Sequence, residues 1–391
     1  MRQNITINKR WRLFMILFRC DSVYQLMNAI QIKITLLKDE EADLLLSDHT
    51  NFDSLIPPLQ ESGIFEEVKR LYSKKKADEY WTYSKEERKN ISKDPQKYVD
   101  MDVLDKEYTE FYISFETAYA KLMYYAMVKK GMHPKVHLFE DGMATYVCDV
   151  KKRCMEDGMD HAFYKEDQFI DNIERLLLYD PALFTGEKMP FPIEKIPTID
   201  YKNKEVKDVF HYIFGEAKLP KQKFIFLEEA FFDDKIPSND LELVLRIAEI
   251  VGKDQMIIKL HPRNKVNRFQ EYGFQTMQHT QVPWEITLMD EDITDKILFT
   301  ISSNASITSK LIFEKNMNVV MLYRMFTGKT WLMGNANFSL YHERSLKEFN
   351  KDRKNIYCPY SFNEMKEILK YIEEHYSCRI IRADEAAHLL E

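Results

Sequence analysis

Short apolar runs recur along the chain, and several lead into longer segments whose apolar positions fall at helical spacing. Arg12 to Arg19 reads as a buried strand, and Ser22 to Leu37 as a helix with Val23, Leu26, Met27, Ile30 and Ile34 on one face. Ala42 to Ser47 is a second strand, and Ile64 to Tyr72 carries a further helix turn and strand. After a charged, tyrosine-rich stretch over 73–108 that reads as a solvated helical face, Phe111 to Phe115 is a strand, Ala118 to Lys130 a helix and Lys135 to Glu140 a strand. This repeated β-α-β order predicts a parallel sheet. Residues 145–215 read as largely helical, with Phe169 to Leu178 the clearest amphipathic segment.

Pro190, Pro192 and Pro197 crowd one stretch that resists regular structure, so a domain boundary is expected near 190–205. A second α/β run follows. Its expected strands are Lys223 to Leu227, Gln255 to Leu260, Ile297 to Ile301 and Asn318 to Tyr323. The expected helices are Ser238 to Gly252, capped by Ser238, and Ser306 to Lys315. The fold class is therefore α/β with two Rossmann-like domains, 1–200 and 201–391, and a last helix, Asn363 to Tyr376, able to pack back on the first.

Length supports this division, because 391 residues exceed what one core comfortably holds. A balance of 56 basic against 63 acidic residues gives the chain no general attraction for nucleic acid phosphates. No apolar run is long enough to span a bilayer, and the N-terminal LFMILF is too short, and lacks the cleavage site, for a signal peptide. Cys20, Cys148, Cys154, Cys358 and Cys378 are odd in number and show no C-x-x-C spacing, which fits a reducing cytosol. Only 10 glycines are present, none arranged as a dinucleotide or P-loop fingerprint, and the G-x-S-x-G and H-E-x-x-H motifs are absent.

The candidate chemistry lies at strand ends, where an open α/β sheet binds its ligands. The first site is Glu140-Asp141-Gly142, closing the strand from Lys135; an ordinary turn explains the same residues, so the case rests on its companions. Arg19-Cys20-Asp21-Ser22 ends the first strand and either caps its helix or lines the same cleft. In IIKLHPRN, Pro262 keeps His261 extended at a strand end, with Lys259 and Arg263 beside it as an anion site would want. His133-Pro134 precedes its strand and reads as a loop. In TISSNASITS, Ser302, Ser303 and Asn304 stand between a strand and a helix, where amides and hydroxyls favour a phosphate. Asp100-Met101-Asp102 and Asp290-Glu291-Asp292 have the D-x-D form of a metal-bound nucleotide sugar, but in polar helical surroundings that suggest accident.

The E/D-D-G strand end followed by H-P and a serine pair resembles the bacterial sialyltransferases, and the opening LFRCDSVYQLMNAIQIK resembles the start of glycosyltransferase family 52. The resemblance covers most of the chain, least over 73–108 and 325–391; FLEEAFFDD departs from the Gly-Gln-Pro pattern expected there and leaves nucleotide contacts around 227–234 undefined. It implies a GT-B fold with a cleft between two domains. It also implies inverting transfer of sialic acid from CMP-sialic acid to a terminal galactoside, α-2,3-linked, on a lipooligosaccharide or capsular glycan, without a metal or other cofactor. On this reading Asp141 is the general base and His261 assists the leaving group. Lys259, His261, Pro262, Arg263, Ser302, Ser303 and Asn304 hold the donor, and Cys20, Asp21, Ser22, Glu140 and Gly142 line the acceptor side. A polysialyltransferase or other capsule-building transferase is the alternative within the class, and a non-catalytic nucleotide- or glycan-binding module the alternative outside it. The enzyme is expected in the cytoplasm, peripheral to the inner face of the membrane through its acceptor, and compatible with a homodimer.

Overall fold

The computed structural model describes residues 15–114, 117–155, 158–277, 282–330 and 334–377. The expected strand start at Arg12, the strand end at Phe115 and Cys378 lie outside the described residues. The chain forms two compact units, the first comprising Met1–Asp141, Asp149–Leu178 and Glu187–Pro197, and the second Gly142–Cys148, Tyr179–Gly186 and Thr198–Glu391.

The first unit holds β1 (Met15–Cys20), β2 (Glu41–Ser47), β3 (Val68–Leu71), β4 (Tyr108–Ile113), β5 (Lys135–Phe139), β6 (Ile173–Leu178) and β7 (Ile193–Lys195). They lie in the order β3-β2-β1-β4-β5-β6-β7 with every pair parallel. A parallel sheet covered on both faces needs apolar residues at successive positions rather than alternate ones. β1 shows this: all six residues of MILFRC are buried, Arg19 among them through an ion pair with Asp21 at 2.8 Å. The same rule explains a departure from expectation. Phe169 to Leu178 is not an amphipathic helix but a 3₁₀ turn leading into β6, whose Leu176, Leu177 and Leu178 are wholly enclosed.

The second unit holds β8 (Phe224–Leu227), β9 (Met256–Lys259), β10 (Gln275–Met277), β11 (Ile297–Thr300), β12 (Val319–Met321) and β13 (Ile356–Tyr357). Their order is β10-β9-β8-β11-β12-β13, again entirely parallel. In each sheet the order reverses beside the first strand, at β1/β4 and at β8/β11, which is where doubly wound sheets open to ligands. Both units are thus Rossmann-like, as the α/β pattern predicts.

Two short segments belong to the second unit although their sequence neighbours belong to the first. Around 142–148, the Val147 carbonyl accepts from the side-chain amides of Asn335 at 3.2 Å and Asn337 at 3.0 Å. Around 179–186, the Thr185 hydroxyl donates to the Asn337 carbonyl at 3.2 Å and Arg344 donates to the Phe184 carbonyl. A single boundary near residue 200 does not foresee this threading.

One helix start also differs from expectation. Asp240–Val251 begins after Asn239, and the Ser238 hydroxyl donates to the Asp240 carboxylate at 2.8 Å instead of capping the helix amides. The C-terminal helix Phe362–Ile372 places Met365, Leu369 and Ile372 in the core of the second unit, together with Phe224, Phe226, Ile297 and Phe299. Its apolar face is therefore used in the core of its own unit.

Candidate active site

In the first unit β5 ends at Phe139, and the two acids after it have opposite fates. Glu140 is fully buried; its carboxylate accepts from the Tyr24 hydroxyl at 2.7 Å and its carbonyl from the Asn28 amide at 3.0 Å. It fastens the helix Val23–Thr35 to the strand end, which corrects its expected place as an acceptor contact. Asp141 is half-buried, and its Oδ2 accepts from Gln25 Nε2 at 2.9 Å. Gln25 is held in turn, its Oε1 accepting the Asp21 backbone amide at 2.6 Å. Burial pushes the Asp141 carboxyl up to about 6; the Gln25 bond and the Arg153 charge pull it down, while Asp21 adds to the rise. A carboxylate so placed is ionised at neutral pH yet more basic than an exposed aspartate, as a general base should be.

Gly142 then turns the chain with φ 72° and ψ −159°, a conformation open essentially to glycine alone. Ser22 caps the helix by accepting the Gln25 amide at 3.2 Å, the ordinary reading of that serine. Cys20 is wholly buried, with its thiol pushed up by burial first and the neighbouring acids next, so it belongs to the core and not to an acceptor surface. Asp21 is half-buried and paired with Arg19, which also donates to the Thr117 hydroxyl at 3.3 Å.

In the second unit β9 delivers His261. Its amide donates to Glu228 Oε2 at 3.0 Å, and its Nδ1 accepts the Arg263 amide at 3.2 Å. An accepting Nδ1 leaves the neutral ring's proton on Nε2, so Nε2 is the donor. Arg268 secures this arrangement by pairing with Glu228 at 3.3 Å and with Asp240, both buried acids. The neighbours expected to make an anion site look elsewhere. Lys259 stands 5.9 Å over the Trp284 ring, its pKa lowered by burial against the pull of Glu285, and the exposed Arg263 reaches Asp234 at 3.4 Å. Pro262 is exposed.

The serine run also departs from expectation. The helix starts only at Thr308 and spans six residues, after a 3₁₀ turn over Asn304–Ser306, so no helix dipole points at the strand end. Ser302 is buried and directs its amide to Glu229 Oε1 at 2.6 Å and its hydroxyl to Glu229 Oε2 at 3.1 Å. Thr300 donates to the same carboxyl at 3.2 Å and accepts the Ser303 amide at 3.0 Å. Ser303 and Asn304 are half-buried. Asn304 Oδ1 accepts from the Tyr341 hydroxyl at 2.8 Å, while its Nδ2 is enclosed without a hydrogen-bond acceptor.

The D-x-D stretches are otherwise engaged. Asp100 accepts the Asp102 amide at 3.2 Å, and Asp290 pairs with His211 at 2.8 Å and Lys207 at 3.1 Å. His133 pairs with Asp167 at 2.9 Å on an exposed loop. Among the described residues no group of three or more His, Cys, Asp or Glu is placed to hold a metal ion.

Sequence reasoning misses Tyr24, Gln25, Asn28, Glu229 and Tyr341. Ser22-x-x-Gln25 does carry a signal, the spacing of a capping box. Here the glutamine reaches back to Asp21 and forward to Asp141.

Two doubly wound parallel α/β units, each with titratable or hydroxyl groups at its strand ends, have the architecture of the GT-B glycosyltransferases. Residues 16–322 match the family model of alpha-2,8-polysialyltransferase (POLYST), and the chain belongs to that family. No curated protein matches the sequence. Among solved structures, an alpha/beta-galactoside alpha-2,3-sialyltransferase from the luminous marine bacterium Photobacterium phosphoreum is similar at 12% identity and TM-score 0.50, over 88% of this chain and 98% of that one. Phytolacca americana UGT2, complexed with UDP-2fluoro-glucose and pterostilbene, gives 10% identity and TM-score 0.45, over 93% and 90%. MurG of Acinetobacter baumannii gives 8% and 0.44, over 93% and 91%. The sialyltransferase kinship read from the motifs is thereby shown. No described helix is long and apolar enough to cross a membrane.

Proposed function

We propose that this glycosyltransferase moves sialic acid from CMP-sialic acid to a glycan hydroxyl with inversion and without a metal ion. The observation that carries the reading is the Asp141 carboxyl, raised by burial and aimed by Gln25. It takes the acceptor proton as the hydroxyl attacks the anomeric carbon, while Nε2 of His261 meets the charge developing on the departing CMP phosphate. Ser303 and Asn304, more than Ser302, offer polar groups to that phosphate, since Ser302 is engaged by Glu229. The acceptor expected from the motifs is a terminal galactoside, joined α-2,3. Membership of the alpha-2,8-polysialyltransferase family favours a second reading, in which the acceptor ends in sialic acid.

The test is incubation with CMP-sialic acid and either a labelled lactoside or its sialylated form, read by mass spectrometry. One added residue on lactoside supports the first acceptor, and a ladder on sialyl-lactoside the second. CMP binding without turnover on either would reduce the protein to a binding module.

A further inference from the structure

Glu229 stands where sequence kinship leaves the nucleotide contacts undefined, in the loop after β8. It reaches over the point where the order of the second sheet reverses and is gripped by the end of β11. Three donors meet its carboxyl: the Ser302 amide and hydroxyl, at 2.6 and 3.1 Å, and the Thr300 hydroxyl, at 3.2 Å. Its own carbonyl accepts the Asn264 side-chain amide at 3.2 Å, which ties it to the loop carrying His261. A carboxylate thus already sits on Ser302 and Thr300, beside the Ser303 and Asn304 groups proposed to meet the phosphate of a nucleotide sugar.

We propose that Glu229 is a positioning residue that shapes the 300–303 turn and takes up a proton from solvent when the donor's anionic phosphate binds, so that donor binding weakens as pH rises. This rests on the donor site proposed above. A phosphate met by Ser303 and Asn304 and a carboxylate held by Ser302 and Thr300 occupy adjacent positions of one turn and repel each other, and protonating the carboxyl removes the repulsion while its oxygens still accept the Ser302 amide. The surroundings favour that event. Burial pushes Glu229 up to about 7; the bonds from Ser302 and Thr300 oppose the rise and Asp240 reinforces it. Among the described residues the nearby cations are engaged elsewhere: Arg268 is held by Glu228 and Asp240, and Lys259 looks to Glu285 and Trp284. From the β9 side His261 presents its backbone amide to Glu228.

The test is calorimetric titration of the full-length protein with the non-transferable 3-fluoro analogue of CMP-sialic acid, from about pH 6 to about pH 8.5, in buffers of different ionisation enthalpy. The analogue carries no group that titrates in this range. Wild type should take up a fraction of a proton above about pH 7 and lose roughly tenfold in affinity by about pH 8.5. Glu229→Gln, which keeps an acceptor for the Ser302 amide, should bind with a flat pH profile and no uptake, whereas Glu229→Asp should keep the uptake at lower affinity. Equal melting temperatures of wild type and Glu229→Gln will show that the fold is unchanged. Uptake that survives Glu229→Gln and disappears in His261→Gln would assign the proton to the imidazole and overturn the proposal. Binding to wild type without uptake overturns it while leaving the donor site intact, and failure to bind at any pH overturns both.

Discussion

Asp141 combines a raised pKa with a fixed direction, and each half of that description can be tested separately. Replacing it with Ala should lower turnover about 10²- to 10⁴-fold while CMP still binds, because the carboxyl acts on the acceptor. Retention of wild-type turnover would end the assignment. The acid limb of kcat/KM in wild type should fall near pH 6, since below its pKa of about 6 the carboxyl holds a proton and cannot accept another. Gln25→Ala removes the aim and not the base. Steady-state kinetics should show reduced kcat, and the limb should move upward, because the Gln25 bond favours the ionised form. The same burial has a stability sign. The folded pKa lies above the unfolded value of 3.8, so the native state binds more protons between the two and ionised Asp141 weakens the fold above about pH 6. Asp141→Asn should therefore melt at a higher temperature than wild type at neutral pH.

At the level of elements, the second unit's strand ends are joined by charge as well as by hydrogen-bonded backbone. Arg268 bridges Glu228 after β8 and Asp240 at the start of a helix, and Glu228 in turn holds the His261 amide. Arg268→Met leaves two buried acids without their cation and should cost about 3–5 kcal/mol, measured by chemical unfolding. In a variant that still folds, His261-dependent turnover should fall further than CMP affinity. The elements differ in how plainly the sequence announces them. β1, β8, β9 and β11 are largely apolar runs ended by polar residues, and β5 closes on Leu138 and Phe139 before its acids, so both these strands and the positions of Asp141 and His261 can be read directly. β6 has the same run of leucines, but Phe169 and Ile173 upstream imitate a helical period, so sequence periodicity points to the wrong element. The partners of the acids are less visible still. Gln25 and Glu229 act through side-chain contacts spanning 116 and 73 positions, and no local pattern encodes such separations.

For the whole molecule, acid tolerance should be governed in part by His342, far from the proposed chemistry in sequence. The imidazole is almost fully enclosed, stacked on Tyr323 at 4.6 Å and meeting Phe338 edge-on at 4.4 Å, with neither ring nitrogen hydrogen-bonded. Burial first, and the Arg324 charge second, push its pKa down to about 4. The unfolded chain therefore binds more protons between about pH 6.5 and about pH 4, and stability present above that window falls as pH drops through it, by up to about 3 kcal/mol. His342→Leu should shift the midpoint of acid unfolding to lower pH; an unchanged midpoint would refute the role. Activity of the intact enzyme should also survive a chelator, because Asp290 is engaged by His211 and Lys207. Loss of turnover restored by a divalent ion would return the D-x-D stretches to the chemistry.

The threading of 142–148 and 179–186 into the second unit carries a consequence for how the protein is made. Val147 leaves the ribosome 190 residues before Asn337, the residue whose side chain will satisfy its carbonyl. At about 5–20 residues per second, that is a wait of roughly 10–40 s. During it the first sheet can assemble, since β1 to β7 all precede residue 198. Tyr146 and Leu183, buried in the finished protein, remain without their later partners throughout this interval. Nascent chains arrested before residue 335 should therefore be cut by protease within 142–148 and 179–186, and chains arrested beyond residue 377 should resist.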